Sequence, residues 1–104
     1  MEEVYVIDAL RTPIGALGGG LSSLRPDDMA ALVLKEIVKR NDIDPQDVDD
    51  VYFGCANQAG EDNRNVARMA GLLAGFPARV PGMTLNRLCA SGLSSINMAA
   101  RSIA

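Results

Sequence analysis

The stretch GMTLNRLCASGLSSINMAARSIA, residues 82–104, joins a strand pattern to a helix pattern through one cysteine. Residues 82–88 are predicted to be a strand, and residues 90–104 are predicted to be a helix. Small or apolar residues occupy nearly every face of that helix, and no charged residue lies between Leu88 and Ala100. The pattern predicts a helix that is buried on more than one side, between two layers of a fold.

The rest of the chain alternates strand and helix patterns. Strands are predicted at residues 4–9, as a buried strand, and at residues 50–55, and amphipathic helices are predicted over residues 27–40 and 66–77. A long segment rich in Gly, Pro and Ser (10–26) separates the first strand from the first helix. This alternation predicts an α/β layered fold.

Composition excludes several classes of partner. The net charge is −3 with acidic and basic residues interleaved, so there is no electrostatic footprint for nucleic acid or an anionic membrane. No apolar run approaches the roughly 20 residues that a membrane span needs. We therefore predict neither a nucleic-acid partner nor a membrane partner.

The two cysteines give no metal site. Cys55 and Cys89 lie far apart in the sequence and form no C-x-x-C pair, and the chain contains no histidine. The sequence therefore predicts no metal. It favours two reduced thiols in a cytoplasmic protein.

Cys89 is nevertheless the residue most suited to chemistry. It is predicted to lie at a helix N-terminus, where unpaired backbone N–H groups and the positive end of the helix dipole favour an anion such as a thiolate. The same N–H groups could stabilise a developing oxyanion. The alternative is a free cysteine that packs as a small hydrophobic residue. Spacing places no carboxylate beside it, so the residues alone leave both interpretations open. Asn86 is predicted to bond backbone groups.

Three segments resemble those of the thiolase family. NRLCASGLSS (86–95) is similar to the family's nucleophile motif, which reads roughly Asn-x-x-Cys-small-Ser-Gly. VIDALRTPIG (6–15) resembles its opening strand and loop, and GCANQAGEDNRNVARMA (54–70) resembles the segment after its second strand. The last segment is particularly similar to the 3-oxoadipyl-CoA thiolases of aromatic catabolism.

The resemblance implies a layered αβαβα fold of two similar halves, with residues 1–104 as most of the first half. It implies that Cys89 is the nucleophile that attacks a 3-oxoacyl-CoA, carries the acyl group as a thioester and passes it to free CoA. The reverse reaction is a Claisen condensation. The backbone N–H of Cys89 would contribute to one oxyanion hole. Coenzyme A and acyl-CoA are thus expected as substrates, with no bound cofactor.

The family's activating histidine, second catalytic cysteine and CoA-binding loops follow later in its chains, and none is present here. The last helix pattern also runs to Ala104 without a cap or glycine. We therefore expect an incomplete N-terminal domain, inactive alone, that works with the remainder of the chain or a complementary subunit as a homodimer or homotetramer. Alternatives are an acetoacetyl-CoA or general 3-oxoacyl-CoA thiolase, and a non-catalytic thiolase-like subunit.

Overall fold

The computed structural model describes every residue from 1 to 104. Three α-helices, two short 3-10 helices and a two-stranded sheet make up its regular structure. In chain order they are α1 (Pro26–Arg40), a 3-10 helix (Pro45–Asp47), β1 (Val51–Gly54), a 3-10 helix (Gly60–Asp62), α2 (Val66–Leu73), β2 (Gly82–Leu85) and α3 (Ser91–Ile103). No helix is both long enough and apolar enough to cross a membrane.

The strands β1 and β2 are parallel and are joined through α2. Their register pairs Val51 with Gly82 and Gly54 with Leu85. Helices α1 and α2 pack together on one face of this pair, and α3 packs on the other face, mainly against β1. The result is the three-layer α/β arrangement that the alternating sequence pattern predicts.

Alternate side chains of β1 reach the two helical layers, as the two-residue period of a strand requires. Val51 and Phe53 face the core beneath α1 and α2. Tyr52 and Gly54 face α3, and the Tyr52 hydroxyl lies 2.7 Å from the Ser102 hydroxyl. The apolar core on the first face is small and consists of Val51, Ala67, Phe76 and Val80.

A polar cluster attaches the start of α2 to β2. Asn65 caps the helix by accepting from the Arg68 amide at 3.2 Å, and it also accepts from the Thr84 hydroxyl at 2.8 Å. Its side-chain amide donates to the Gly82 carbonyl at 2.9 Å, and Thr84 Oγ1 accepts from the Ala67 amide at 3.0 Å. These bonds satisfy donors that a helix start leaves free, and they fix the crossover helix on the sheet.

The predicted buried strand at residues 4–9 is wrong for this structure. The segment forms no strand, and Tyr5 is 73% exposed. Instead, Asp8 attaches the segment to the C-terminal end of α1, because its carboxylate accepts hydrogen bonds from Arg40 and Asn41 at 2.6 Å each. These bonds hold the pKa of Asp8 well below its usual range, and those from Arg40 contribute most. β-favouring residues form a strand only when they pair with a neighbouring strand, and no strand of this chain pairs with them.

The prediction that α3 is buried on more than one side stays a prediction, because the 104 residues described cover the helix on one side only. Only Ser91 and Ser95 are buried, whereas Leu93 is 66% exposed and Ile96 and Ile103 are exposed too. The two strands cover a single face of the helix. Small and apolar residues allow every face of a helix to be buried, but burial also requires other helices or strands that pack on those faces.

Asp27 provides a test of the packing at the start of α1. Its side chain is only 6% exposed and accepts from Arg25 at 3.1 and 3.2 Å and from the Asp28 amide at 2.9 Å. The bonds from Arg25 lower the pKa of Asp27. The pKa of Asp27 is lower in the folded chain than the 3.8 of the unfolded chain, so the ionised carboxylate stabilises the fold at neutral pH. This stabilisation is lost as the pH falls through the pKa of the folded state.

We therefore expect Asp27→Asn to lower the free energy of unfolding by about 1 kcal/mol at neutral pH, because Arg25 is half exposed and its pairing is partly screened. The difference from wild type should shrink in acid, below about pH 4. Urea unfolding across this pH range measures it. The exposed neighbour Asp28→Asn is the control, and an equal, pH-independent loss in both variants would contradict the assignment.

Candidate active site

Cys89 lies in the short link between the end of β2 and the start of α3. The strand ends at Leu85, the helix begins at Ser91, and Ala90 is the helix N-cap without a side-chain capping bond. Cys89 is exposed and forms no disulfide. The structure thus places the cysteine at the strand–helix junction that the sequence predicts, and not in the apolar interior that the alternative required.

The link makes a tight turn at Leu88. This residue has a φ of +49°, in the left-handed region, which for a non-glycine residue costs roughly 1–3 kcal/mol. Backbone bonds close the turn, from Ala90 N–H to the Arg87 carbonyl at 3.0 Å and from Ser91 N–H to the Leu88 carbonyl at 3.1 Å. Cys89 is therefore a central residue of this turn, directly after Leu88.

Two side chains hold this turn from its two ends. Ser91 Oγ accepts from the Arg87 amide at 2.8 Å and donates to the Leu88 carbonyl at 2.6 Å. Asn86 Oδ1 accepts from the Leu88 amide at 2.9 Å, and Asn86 Nδ2 donates to the Ala56 carbonyl at 3.2 Å. The second bond attaches the turn to the segment after β1. The prediction that Asn86 bonds backbone groups is confirmed.

Three backbone amides at and just after Cys89 have no hydrogen-bond acceptor in the protein. The N–H groups of Cys89, Gly92 and Leu93 make no hydrogen bond of standard geometry to another protein group. The last two belong to the first turn of α3, where the positive end of the helix dipole adds to the effect. A thiol beside unengaged donors is the arrangement that nucleophilic attack on a carbonyl needs, because the oxygen of that carbonyl becomes negative.

Gly54 brings β1 into direct contact with the start of α3. A Cβ atom built on this glycine would lie 2.5 Å from the Gly92 nitrogen and closer still to the Ser91 carbonyl group. No side chain fits there, since real Cβ atoms do not approach backbone this closely. The end of β1 therefore determines where the first turn of α3, and with it the turn before Cys89, can lie.

This chain supplies no proton acceptor at the turn. It has no histidine, and no Asp or Glu side chain bonds to any residue from Asn86 to Ser91. Acyl transfer by a thiol needs a base for the thiol proton and an acid for the leaving group. The geometry therefore offers an exposed thiol and backbone amides without acceptors, and acyl transfer here would need both proton-transfer groups from other residues.

Sequence reasoning missed Ser91 and Gly54. Ser91 is the serine of the nucleophile motif quoted above, but no role was assigned to it, although Ser/Thr side chains often bond nearby backbone at helix starts. A serine two residues after the candidate nucleophile was the available signal. Gly54 gave no usable signal, because its role depends on contact with a helix that is distant in sequence.

Comparisons with known proteins agree on one family. The family model described as thiolase, N-terminal domain, matches residues 4–104. A beta-ketoadipyl-CoA thiolase of Pseudomonas knackmussii is 62% identical over 103 residues, which are 98% of this chain and 26% of that protein. A 3-oxoadipyl-CoA/3-oxo-5,6-dehydrosuberyl-CoA thiolase of Escherichia coli K12 is 60% identical over 104 residues, 99% of this chain and 26% of that protein.

A solved structure is similar as well. The crystal structure of the Bacillus anthracis acetyl-CoA acetyltransferase superposes with a TM-score of 0.79 at 45% sequence identity. The match covers 86% of this chain and 22% of that chain. The chain spans about a quarter of the length of the curated relatives that it matches.

Proposed function

This chain belongs to the thiolase family, and from that premise we propose that it is the nucleophile-bearing part of an acyl-CoA C-acyltransferase. Cys89 is the proposed nucleophile, and its backbone N–H is a proposed donor of an oxyanion hole. The observation that carries the proposal is the exposed Cys89 at the start of α3, beside amides that have no protein acceptor.

The proposed reaction cleaves a 3-oxoacyl-CoA with free CoA. The Cys89 thiolate attacks the carbonyl carbon at position 3, and the oxygen becomes an oxyanion that backbone N–H groups stabilise. The bond between carbons 2 and 3 then breaks, the electron pair goes to carbon 2, and a proton from an acid outside this chain completes acetyl-CoA. The thiol of a second CoA attacks the acyl-cysteine and releases the shortened acyl-CoA. The same steps reversed give a Claisen condensation.

Coenzyme A is thus a substrate in this scheme, and the scheme needs no bound cofactor or metal. Its acid and base must come from the three quarters of a thiolase that this chain does not match, carried on the same chain or on a complementary subunit. A catalytic thiol must stay reduced, which suits the cytoplasm. The exposed apolar residues of α3 suit burial within a larger homodimer or homotetramer.

For the acyl group, the names of the relatives at 60–62% identity favour 3-oxoadipyl-CoA. The acetyl-CoA acetyltransferase at 45% identity supports a second candidate, acetoacetyl-CoA. The two substrates differ in their acyl chains, since 3-oxoadipyl-CoA ends in a carboxylate and acetoacetyl-CoA ends in a methyl group. A comparison of kcat/KM for the two substrates therefore distinguishes the candidates.

A chimaeric protein tests the function. In it, residues 1–104 replace the matching N-terminal quarter of the Pseudomonas knackmussii relative, which supplies the remaining groups. We expect the chimaera to release acetyl-CoA from 3-oxoadipyl-CoA and CoA. Because the relative supplies about three quarters of the chimaera, a preference for acetoacetyl-CoA would have to come from residues 1–104 and would favour the second candidate. A folded chimaera that cleaves neither substrate would support a non-catalytic subunit.

A further inference from the structure

We propose that Ser91 is a positioning residue for the nucleophile, because its hydroxyl holds the turn that places the Cys89 thiol and amide. The inference rests on the proposed function and adds a residue to that site. The Ser91 hydroxyl forms no hydrogen bond with Cys89; it acts through the backbone of Arg87 and Leu88, the two residues before the cysteine.

The hydroxyl of Ser91 is buried and fully used. The residue is 4% exposed, and its Oγ both accepts from the Arg87 amide and donates to the Leu88 carbonyl. It thus bridges the two residues immediately before Cys89. In Ser91→Ala the Arg87 amide loses its side-chain acceptor. The Leu88 carbonyl keeps only the bond from the Ser91 amide at 3.1 Å.

The turn needs such support because its backbone is unfavourable by itself. Leu88 has a positive φ, which a leucine adopts only when surrounding bonds enforce it. Cys89 follows directly, so a relaxation of Leu88 towards ordinary backbone angles rotates the peptide that carries the Cys89 N–H. This rotation would change where the Cys89 N–H points relative to its own thiol, and oxyanion stabilisation depends on that direction.

Ser95 is a matched control for Ser91. It lies one turn further along α3, is 7% exposed, and its Oγ donates to the Gly92 carbonyl at 2.6 Å. The two serines therefore share helix, burial and type of backbone bond. Only Ser91 also accepts from an amide of the turn. Alanine at either site removes a similar buried hydroxyl. A difference in kcat between the two variants therefore reports on the bond from the Arg87 amide, which only Ser91 accepts.

The experiment compares Ser91→Ala with Ser95→Ala in the chimaera. We expect Ser91→Ala to lower kcat by about 10-fold to 100-fold, because small displacements of a reacting group have effects of that size. KM for the acyl-CoA should stay within about 3-fold of wild type, since the change leaves substrate binding intact. Ser95→Ala should keep kcat within about 3-fold of wild type. The thermal midpoints of both variants show whether the lower kcat of Ser91→Ala comes from lost stability.

Alkylation of Cys89 by iodoacetamide gives a readout that does not need turnover. We expect slower labelling of Cys89 in Ser91→Ala than in Ser95→Ala by about 3-fold or more, since thiolate reactivity depends on the helix start. Similar kcat values for the two variants overturn the proposal. If the chimaera without these substitutions is inactive, the proposed function is contradicted and the kcat comparison cannot be made. The labelling rates then test Ser91 by themselves, and equal rates of Cys89 labelling in the two variants overturn its role as a positioning residue.

Discussion

Replacing Gly54 by alanine is expected to cost about 3 kcal/mol or more of unfolding free energy, at or beyond the upper end of ordinary overpacking. The added methyl group would lie 2.5 Å from the Gly92 nitrogen and closer to the Ser91 carbonyl group. These are backbone atoms, so no side chain can rotate away. Either β1 or the first turn of α3 must move.

Chemical unfolding of wild type and Gly54→Ala measures this cost. Gly71→Ala is the control, because a Cβ at Gly71 would meet only the Phe76 ring, at an ordinary 3.9 Å. Alanine inside α2 should stabilise the protein by about 0.5–1 kcal/mol. If Gly54→Ala proves as stable as wild type, the close contact between β1 and α3 does not exist. A displaced α3 should also slow the labelling of Cys89.

Replacing Cys89 by alanine is expected to lower kcat of the chimaera by about 10⁴-fold or more, the size of effect that loss of a covalent nucleophile produces. KM and the thermal midpoint should change little, because Cys89 is exposed and packs against no core residue. The assay is the release of acetyl-CoA from 3-oxoadipyl-CoA and CoA.

Cys55→Ala is the matched control for this substitution. Cys55 is the other free cysteine of the chain, is half-buried after β1, and bonds only weakly to the Asn57 carbonyl at 3.5 Å. We expect the Cys55→Ala variant to keep kcat within about 3-fold of wild type. Comparable losses in the two variants, or full activity of Cys89→Ala, would remove Cys89 from the proposed mechanism.

The sequence predicted most of the regular structure because local patterns determined it. The helix predicted at 27–40 is found at Pro26–Arg40, and the strand predicted at 50–55 is found at Val51–Gly54. The helix predicted over 66–77 ends earlier, at Leu73, and a positive φ of +85° at Gly75 follows. The thiolase-like α/β fold is confirmed by the family match and the superposition with a solved structure.

Predictions that depended on partners in space were less successful. The run at residues 4–9 has strand-forming residues, but strand formation also needs a neighbouring strand. The burial of α3 likewise needs elements on both of its sides. Of the candidate site, the sequence predicted the position of Cys89 and the bonding of Asn86. It missed Ser91, because a hydroxyl that bridges a strained turn leaves no periodic pattern.

Acid-quenched peptide mass spectrometry can show whether Cys89 carries the acyl group. The chimaera is mixed with 3-oxoadipyl-CoA in the absence of free CoA, quenched, digested and weighed. Loss of two carbons as acetyl-CoA leaves a succinyl group, so we expect a succinyl adduct on the peptide containing Cys89 that disappears when CoA is added. If the chimaera releases acetyl-CoA while this peptide stays unmodified, or while the adduct forms on Cys55, then Cys89 does not carry the acyl group.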